Sequence, residues 1–520
     1  MTHCHWFTGF MLSILGLMVS TGYAEVRMPA VFSDHMVLQR DQPIAVWGFA
    51  DPSESVTVTL NKQTQTTTAN RDGKWRVTFT AMKAGGPFEM TVKAQNTLNI
   101  SDILIGEVWL CSGQSNMEQG IRFTLGKNWK QLKEMNHPRM RLLLIPNTLS
   151  NTPQDDVKAQ WKLCSEKTIL QDGWGGFSAV GYHFGKVLLD ELDVPVGLIQ
   201  SSVGGTPIEV WMSDADVKAV PEAKPILDKW ATKVRQYKPQ YAQKRYEKAL
   251  AQWQVKAKAS EKQGKKTPPK PQTPTPPNLQ SWYPSTRYNT MIWPIIPYCM
   301  RGILWYQGYA NRHNTVAYQS MFHRLIHSWR QSWGKPDLPF YFVQHSPLKT
   351  KKQSDTDLLA NLREAQASAL DLPNTAMVVT LDVADPRWIH YGNKKPVGQR
   401  LANIALKQTY GKTNLQPYSP LYDHLSTQND QTVIHFKHAD HGLMTTDNKP
   451  VGGFEIAGSD QQFVPVTADI DGSTVRIKHT QINKPVSIRY AWDNNPKDAN
   501  LFGKNGLPVA PFRTDNWLLK

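Results

Sequence analysis

The amino-acid sequence predicts an α/β protein: a parallel sheet covered by helices on both faces, with an antiparallel β domain before it and a β module after it. Three observations predict this. Residues 25 to about 102 alternate polar and apolar side chains, as in Ser55-Val56-Thr57-Val58-Thr59-Leu60 and Trp75-Arg76-Val77-Thr78-Phe79. From Ile103 short apolar runs alternate with helical patterns, the grammar of a parallel sheet. After about Gly411 the two-residue period returns.

Taken in order, residues 1–24 read as a removable leader. The apolar run Phe7 to Val19 is followed by Thr21-Gly22-Tyr23-Ala24, with small residues where a signal peptidase cuts. The run is too short to span a bilayer, and no other stretch is long and apolar enough to do so. The chain is therefore expected to be secreted or periplasmic, with no membrane span in its mature form. Residues 25–102 form a small β-sandwich, in which Asp72-Gly73 reads as a hairpin turn.

Residues 103–411 carry the parallel sheet. Its expected strands are Glu107 to Cys111, Arg141 to Ile145, Val196 to Gln200, Gly302 to Tyr306, Phe340 to Gln344 and Met377 to Leu381. Helical patterns run over Val180 to Leu192, Tyr318 to Trp333 and Pro396 to Tyr410. Residues 214–287 interrupt this alternation. There Ala223 to Ala259 reads as a long charged helix or helix pair, and proline-dense Thr267 to Asn278 as an extended linker. Residues 412–520 form the closing β module, with strands at Thr432 to Phe436, Ser473 to Ile477 and Val486 to Tyr490.

Composition narrows the function classes. The 520 residues carry a net charge of +16, but fifteen Lys and Arg against six Asp and Glu fall between Asp214 and Lys270. A charge so concentrated reads as a solvated basic helix, and no nucleic-acid partner is expected. Cys4 leaves with the leader. Cys111, Cys164 and Cys299 remain, too few for a disulfide framework, with one bridge left open. No Cys/His spacing resembles a zinc site, so neither metal nor cofactor is expected.

Four segments place polar chemistry just past expected strand ends, where open α/β sheets bind ligands. Gly113-Gln114-Ser115-Asn116-Met117 follows the first strand. Taken alone it reads equally as a nucleophile loop or as a turn capped by Ser115 or Asn116. Its companions are Ser201-Ser202-Val203-Gly204-Gly205-Thr206-Pro207, Gln307-Gly308-Tyr309-Ala310-Asn311, and Asp382 to His390. If the strands are parallel, all four lie on one sheet edge. Ester hydrolysis needs what they supply: a serine hydroxyl, a base in His390, and oxyanion donors in the amide of Ser115, an amide at Gly204 or Gly205, and the side chain of Asn311.

The stretches GEVWLCSGQSNMEQ (106–119) and YNTMIWPIIPYCMRGILWYQGYAN (288–311) are specific, and VGLIQSSVGGTPIEVWMS (196–213), YFVQHSP (341–347), LREAQ (362–366) and IHYGNKKPVGQRLA (389–402) support them. On these the chain resembles the sialate O-acetylesterases, carbohydrate esterases of the SGNH (GDSL-type) hydrolase superfamily, over nearly its whole mature length. The resemblance implies a three-layer α/β/α catalytic sheet, an O-acetylated carbohydrate substrate and no cofactor. It also implies Ser115 as nucleophile, His390 as base, and Ser115, Gly205 and Asn311 as the oxyanion hole. Gln114, Asn116, Gln307 and Tyr309, which flank these residues, are the candidates for substrate binding.

Two departures stand out. Relatives have an acid two or three residues before the histidine, where this chain has Trp388 and Arg387. Asp385 is the nearest replacement, with Asp382 behind it. A backbone carbonyl can orient an imidazole instead. Relatives also have glutamate where Tyr309 stands. The missing acids leave a second reading, a catalytically weak glycan-binding protein with the same cleft. Xylan and pectin stand beside sialic acid as acetylated substrates. Glu209 and Trp211 read as packing residues, Arg363 with Glu364 and Arg513 with Asp515 as structural pairs, and His345 as a residue that can line the cleft.

Overall fold

The computed structural model describes residues 25–126, 128–350, 357–428, 431–447, 449–477 and 485–517. The expected leader, 1–24, lies outside them. The central sheet is built from β1 (Thr97–Gly113), β2 (His137–Leu144), β3 (Trp161–Cys164), β4 (Val196–Ser202), β5 (Gly302–Tyr306), β6 (Phe340–Val343) and β7 (Thr375–Val378), in the order β7-β6-β5-β1-β4-β2-β3. All neighbours run parallel except β2 and β3. The chain builds outward on one side of β1 and then, from β5, on the other. That reversal opens a crevice at the carboxyl end of β1.

Register makes the crevice level. Gly113 pairs with Ser202 of β4 and with Tyr306 of β5, so three strands end side by side. Gly113 has φ +133°, and a Cβ there would sit 2.3 Å from the Tyr306 carbonyl oxygen. Only glycine closes that end of the strand.

Alternate residues of each strand feed two cores. Trp109, Cys111, Leu198, Leu304 and Tyr341 pack with helices α2 (Ala179–Leu192) and α7 (Lys395–Gln408). Val108, Leu110, Ile199, Ile303 and Phe340 pack with Tyr318, Phe322 and Trp329 of α5 (Thr315–Ser332). The α2 helix begins where Ser178 Oγ accepts the Gly181 N–H at 3.1 Å. Between α2 and α5 in the chain come α3 (Lys224–Gln236) and α4 (Pro239–Lys262), the charged helix pair. It buries only Trp230 and Ala242, and Trp253 Nε1 donates to the Pro268 carbonyl of the proline-dense return.

β1 does more than the alternation suggested. Its first half pairs antiparallel with Gly85–Lys93 of the preceding β region, its middle pairs parallel with Val37–Gln39, and its second half enters the central sheet. One 17-residue strand therefore runs through position 102. Asp72-Gly73 is a turn but not a hairpin. Gln63–Thr68 pairs with Ser55–Leu60, while Lys74–Phe79 pairs with Ile44–Phe49, so the turn carries the chain from one sheet to another. Asp471-Gly472, by contrast, joins paired strands, Asp471 opposite Thr474.

The C-terminal module is a seven-stranded antiparallel sheet with its own core. It is clamped to α6 (Leu358–Ala367): Arg513 forms a two-pronged ion pair with Glu364 at 2.7 and 2.9 Å, and buried Arg363 donates to the carbonyls of Asp493 and Asn494. Cys111, Cys164 and Cys299 are free thiols, and burial pushes Cys111 and Cys164 up to about 12. Among the described residues no helix is long and apolar enough to cross a membrane.

Candidate active site

Ser115 opens the one-turn helix α1 (Ser115–Glu118), directly past the end of β1. The Gln114 N–H is tied to the Tyr306 carbonyl at 2.9 Å and the Val203 N–H to the Gly113 carbonyl at 3.1 Å. These bonds lock the loops after β1, β4 and β5 together. A Cβ at Gly204 would lie 3.3 Å from Ser115 Cβ, so the glycine lets the second loop close on the serine. The Ser115 amide has no acceptor among the described residues, as expected of a first-turn N–H.

The two candidate amides of that second loop have different fates. Gly204 donates to Glu118 Oε2 at 2.6 Å. Gly205, exposed and at φ +71°, keeps an amide without a partner among the described residues. Glu118 thus spends the first amide, holds the loop, and leaves the second free. Burial pushes the Glu118 carboxyl up, against the pull of the Gly204 bond.

Asn311 follows the same logic. Its Oδ1 accepts the Ile208 N–H and Gln307 Nε2, both at 2.9 Å, which fixes the amide plane. Its Nδ2 donates one proton to Glu209 Oε2 at 2.9 Å and has a second left over. Glu209, read from sequence as packing, is the group that sets this amide's orientation. Burial pushes its carboxyl up as well.

His390 meets the edge of Trp174 at a ring-centroid distance of 4.9 Å. Its backbone is tied to α1 from two sides: Asn116 Nδ2 donates to the Ile389 carbonyl at 3.1 Å and Gln119 Nε2 to the His390 carbonyl at 3.5 Å. Partial burial, and then the charge of Lys394, hold the imidazole below its ordinary range. A neutral imidazole is the form that accepts a proton.

The expected acid is absent from its place. Asp385 does not reach His390. It is captured by Arg387, which donates to it from the backbone N at 3.0 Å and from Nη2 at 2.6 Å. That guanidinium holds the carboxyl down to about 2. Asp382 is paired with Arg400 at 2.8 Å. No hydrogen bond joins the His390 ring to any described residue.

Three expected substrate-binding residues have other work. Gln114 Oε1 accepts the Gly308 N–H at 3.3 Å, and Gln307 Nε2 donates to the Thr206 carbonyl at 3.1 Å as well as to Asn311. Asn116 links α1 to Ile389 and to Lys394. All three are buried, and these bonds brace the loops, while Gln307 Oε1 has no partner among the described residues. Tyr309 is half-buried, stacked on His345 at 5.3 Å, with the Arg312 guanidinium over its ring at 4.1 Å. His345 Nδ1 lies 2.7 Å from the Ser346 carbonyl, and burial pushes its pKa down to about 3.

Lys394 was not singled out by sequence. Its side chain is fully buried, with no carboxylate in ion-pair distance among the described residues. Nζ donates to Asn116 Oδ1 at 2.7 Å and to the Tyr391 carbonyl at 2.8 Å, and it stands 3.5 Å from the Tyr391 ring centroid. Burial drives its pKa well down. Beside α1 a cavity of about 900 Å³ opens, walled by Glu118, Trp174, Asn147 and Gln171 over the ends of β2 and β4.

Strand-end loops present a serine, a free glycine amide, an oriented asparagine amide and a histidine, the kinds of group that ester hydrolysis uses. The family model for carbohydrate esterases described as sialic acid-specific acetylesterases matches residues 105–262 and 277–407, and the chain belongs to that family. It is a carboxylic ester hydrolase. It is similar to the sialate O-acetylesterase of Mus musculus, 29% identical over 550 residues and 97% of each chain. It is also similar to that of Homo sapiens, 28% identical over 532 residues, 94% of this chain and 92% of the other. A solved carbohydrate acetylesterase from Xanthomonas citri superposes with a TM-score of 0.79 at 32% identity, covering 95% of this chain and 100% of that one.

Proposed function

We propose that this chain is an exported acetylesterase that removes O-acetyl groups from a glycan through a Ser115–His390 dyad on an SGNH-type α/β/α scaffold. The level ends of β1, β4 and β5, whose loops carry Ser115, the free Gly205 amide and Asn311, and the tie from Asn116 to the backbone before His390 support this reading. Ser115 Oγ attacks the acetyl carbonyl carbon as His390 takes its proton. The carbonyl oxygen becomes an oxyanion received by the amides of Ser115 and Gly205 and by Asn311 Nδ2. The bond from carbonyl carbon to sugar oxygen then breaks, and His390 protonates the leaving alkoxide. Water, deprotonated by the same imidazole, releases acetate and restores Ser115.

The names of the relatives point to acetylated sialic acid as the substrate. In this reading the 900 Å³ cavity beside Trp174 takes the acetylated sugar, the indole offering an apolar face to the ring. Export rests on the apolar run Phe7 to Val19 and the small residues after it. The test compares aryl acetate hydrolysis by the wild type and Ser115→Ala. The wild type is expected to exceed the variant by at least about 10³-fold. Equal background rates would end the esterase mechanism.

A further inference from the structure

A second cavity, of about 490 Å³, lies past Asn311 where α3 meets the loops after β4 and β5. Its volume falls within the usual range of small-molecule sites, about 300–1,000 Å³. Its floor is Pro207, Glu209 and Asn311, the loop residues that carry the oxyanion amide. Its wall is α3 and the returning segment around Trp282.

The chemistry of that wall is specific. Trp282 leaves 51% of its surface in water, an apolar plane at the rim. Lys229 and Lys233 stand one turn apart on the same face of α3. Among the described residues neither has a carboxylate within ion-pair distance, and Lys233 is held over the Trp230 ring at 4.2 Å. His313 and Gln280 complete the lining. Glu209 is the one carboxylate there, and it is buried against Asn311. An aromatic plane, two ammonium groups in no ion pair among the described residues, one of them close enough for its charge to act on buried Glu209, and planar amides suit a sugar ring that carries a carboxylate.

Resting on the esterase reading above, we propose that α3 and the segment returning through Trp282 build a subsite for a carboxylate-bearing sugar next to the acetylated one, so that the preferred substrate is an acidic oligosaccharide. The insertion contributes no strand to the central sheet, and its cations face a cavity that opens on the catalytic loop. Solvation of a charged helix does not require that placement.

The test uses the full chain and three probes: an aryl acetate, O-acetylated disialyl oligosaccharides, and the same oligosaccharides with the carboxyl group of the non-acetylated sialic acid reduced to an alcohol. The variants are Trp282→Ala and the double variant Lys229→Gln with Lys233→Gln, all at exposed positions. Expected are a KM for the acidic oligosaccharide about tenfold higher in each variant, equivalent to 1.4 kcal/mol, and unchanged aryl acetate kinetics. The lysine variants should leave the KM for the reduced oligosaccharide unchanged. Variant KM values equal to the wild type on the acidic probe, or failure of the wild type to prefer that probe over the reduced one, would overturn the subsite while aryl acetate turnover kept the esterase reading intact. A wild type inactive on aryl acetate would remove both.

Discussion

Replacing Lys394 with methionine takes away a buried ammonium that joins α1, the helix opened by Ser115, to the segment after His390. Its bond to Asn116 Oδ1 at 2.7 Å and its bond to the Tyr391 carbonyl at 2.8 Å are lost. Hydrogen bonds to a charged group contribute about 1.5–3 kcal/mol each, and an orphaned buried acceptor costs about 1–3 kcal/mol. Against this, a lone buried ammonium carries a desolvation penalty of several kcal/mol, which methionine does not. The terms nearly offset, so the melting temperature should move by roughly 5 °C or less. Activity should fall much further. Asn116 holds the Ile389 carbonyl with the same amide that Lys394 fixes, and a shift of about 1 Å between reacting groups costs on the order of 10²-fold. The pH profile gives the discriminating sign. His390 titrates low because of burial and, second, because of Lys394. Without that charge its pKa rises, less of it is neutral at a given mildly acidic pH, and the acid limb of kcat/KM moves to higher pH. The assay is aryl acetate hydrolysis across pH, with a thermal melt alongside. An unmoved acid limb together with a kcat/KM loss under about threefold, less than 1 kcal/mol of barrier, would refute the argument.

Other outcomes follow from the same geometry. Trp388→Asp places a carboxylate two residues before His390 at a position already 65% exposed. It should raise kcat/KM at least about tenfold, a fraction of what a triad acid can supply, and shift the acid limb upward; no gain would mean that the loop cannot bring an acid to the ring. Asp385→Asn should leave kcat/KM within about twofold, as expected away from the chemistry, and a large loss in steady-state kinetics would return that residue to the mechanism. Gly113→Ala forces a Cβ against the Tyr306 carbonyl and should cost about 3 kcal/mol, seen as a lowered melting temperature.

The strand ends and the polar loops after them were legible because each carries a composition signal: an apolar run, then glycine, serine or asparagine. Partnering was not legible. Asp385 looks available in sequence, but an arginine two residues on takes its carboxylate. Gln114, Asn116 and Gln307 sit in motif positions beside the nucleophile and the oxyanion amide, yet their amides bond to loop backbones. Glu209 and Glu118 looked incidental, though one orients the Asn311 amide and the other holds the Gly204 loop. Lys394 carries no signal, since lysine is almost always solvated. The reach of β1 was missed because its pattern changes from alternating to continuous where it passes from a half-solvated sheet to a buried one.

That strand has a consequence for how such a protein can be shortened or recombined. β1 starts in the leading β region and ends one residue before Gln114, so the support of Ser115 is a beam anchored outside the catalytic sheet. Cutting the chain at residue 102 would not release a module. It would strip Gly85–Lys93 and Val37–Gln39 from the beam's upstream half and bare the edge they cover. The leading β region and Ser115 are therefore inherited together, and a fragment that keeps this support has to begin before Val37.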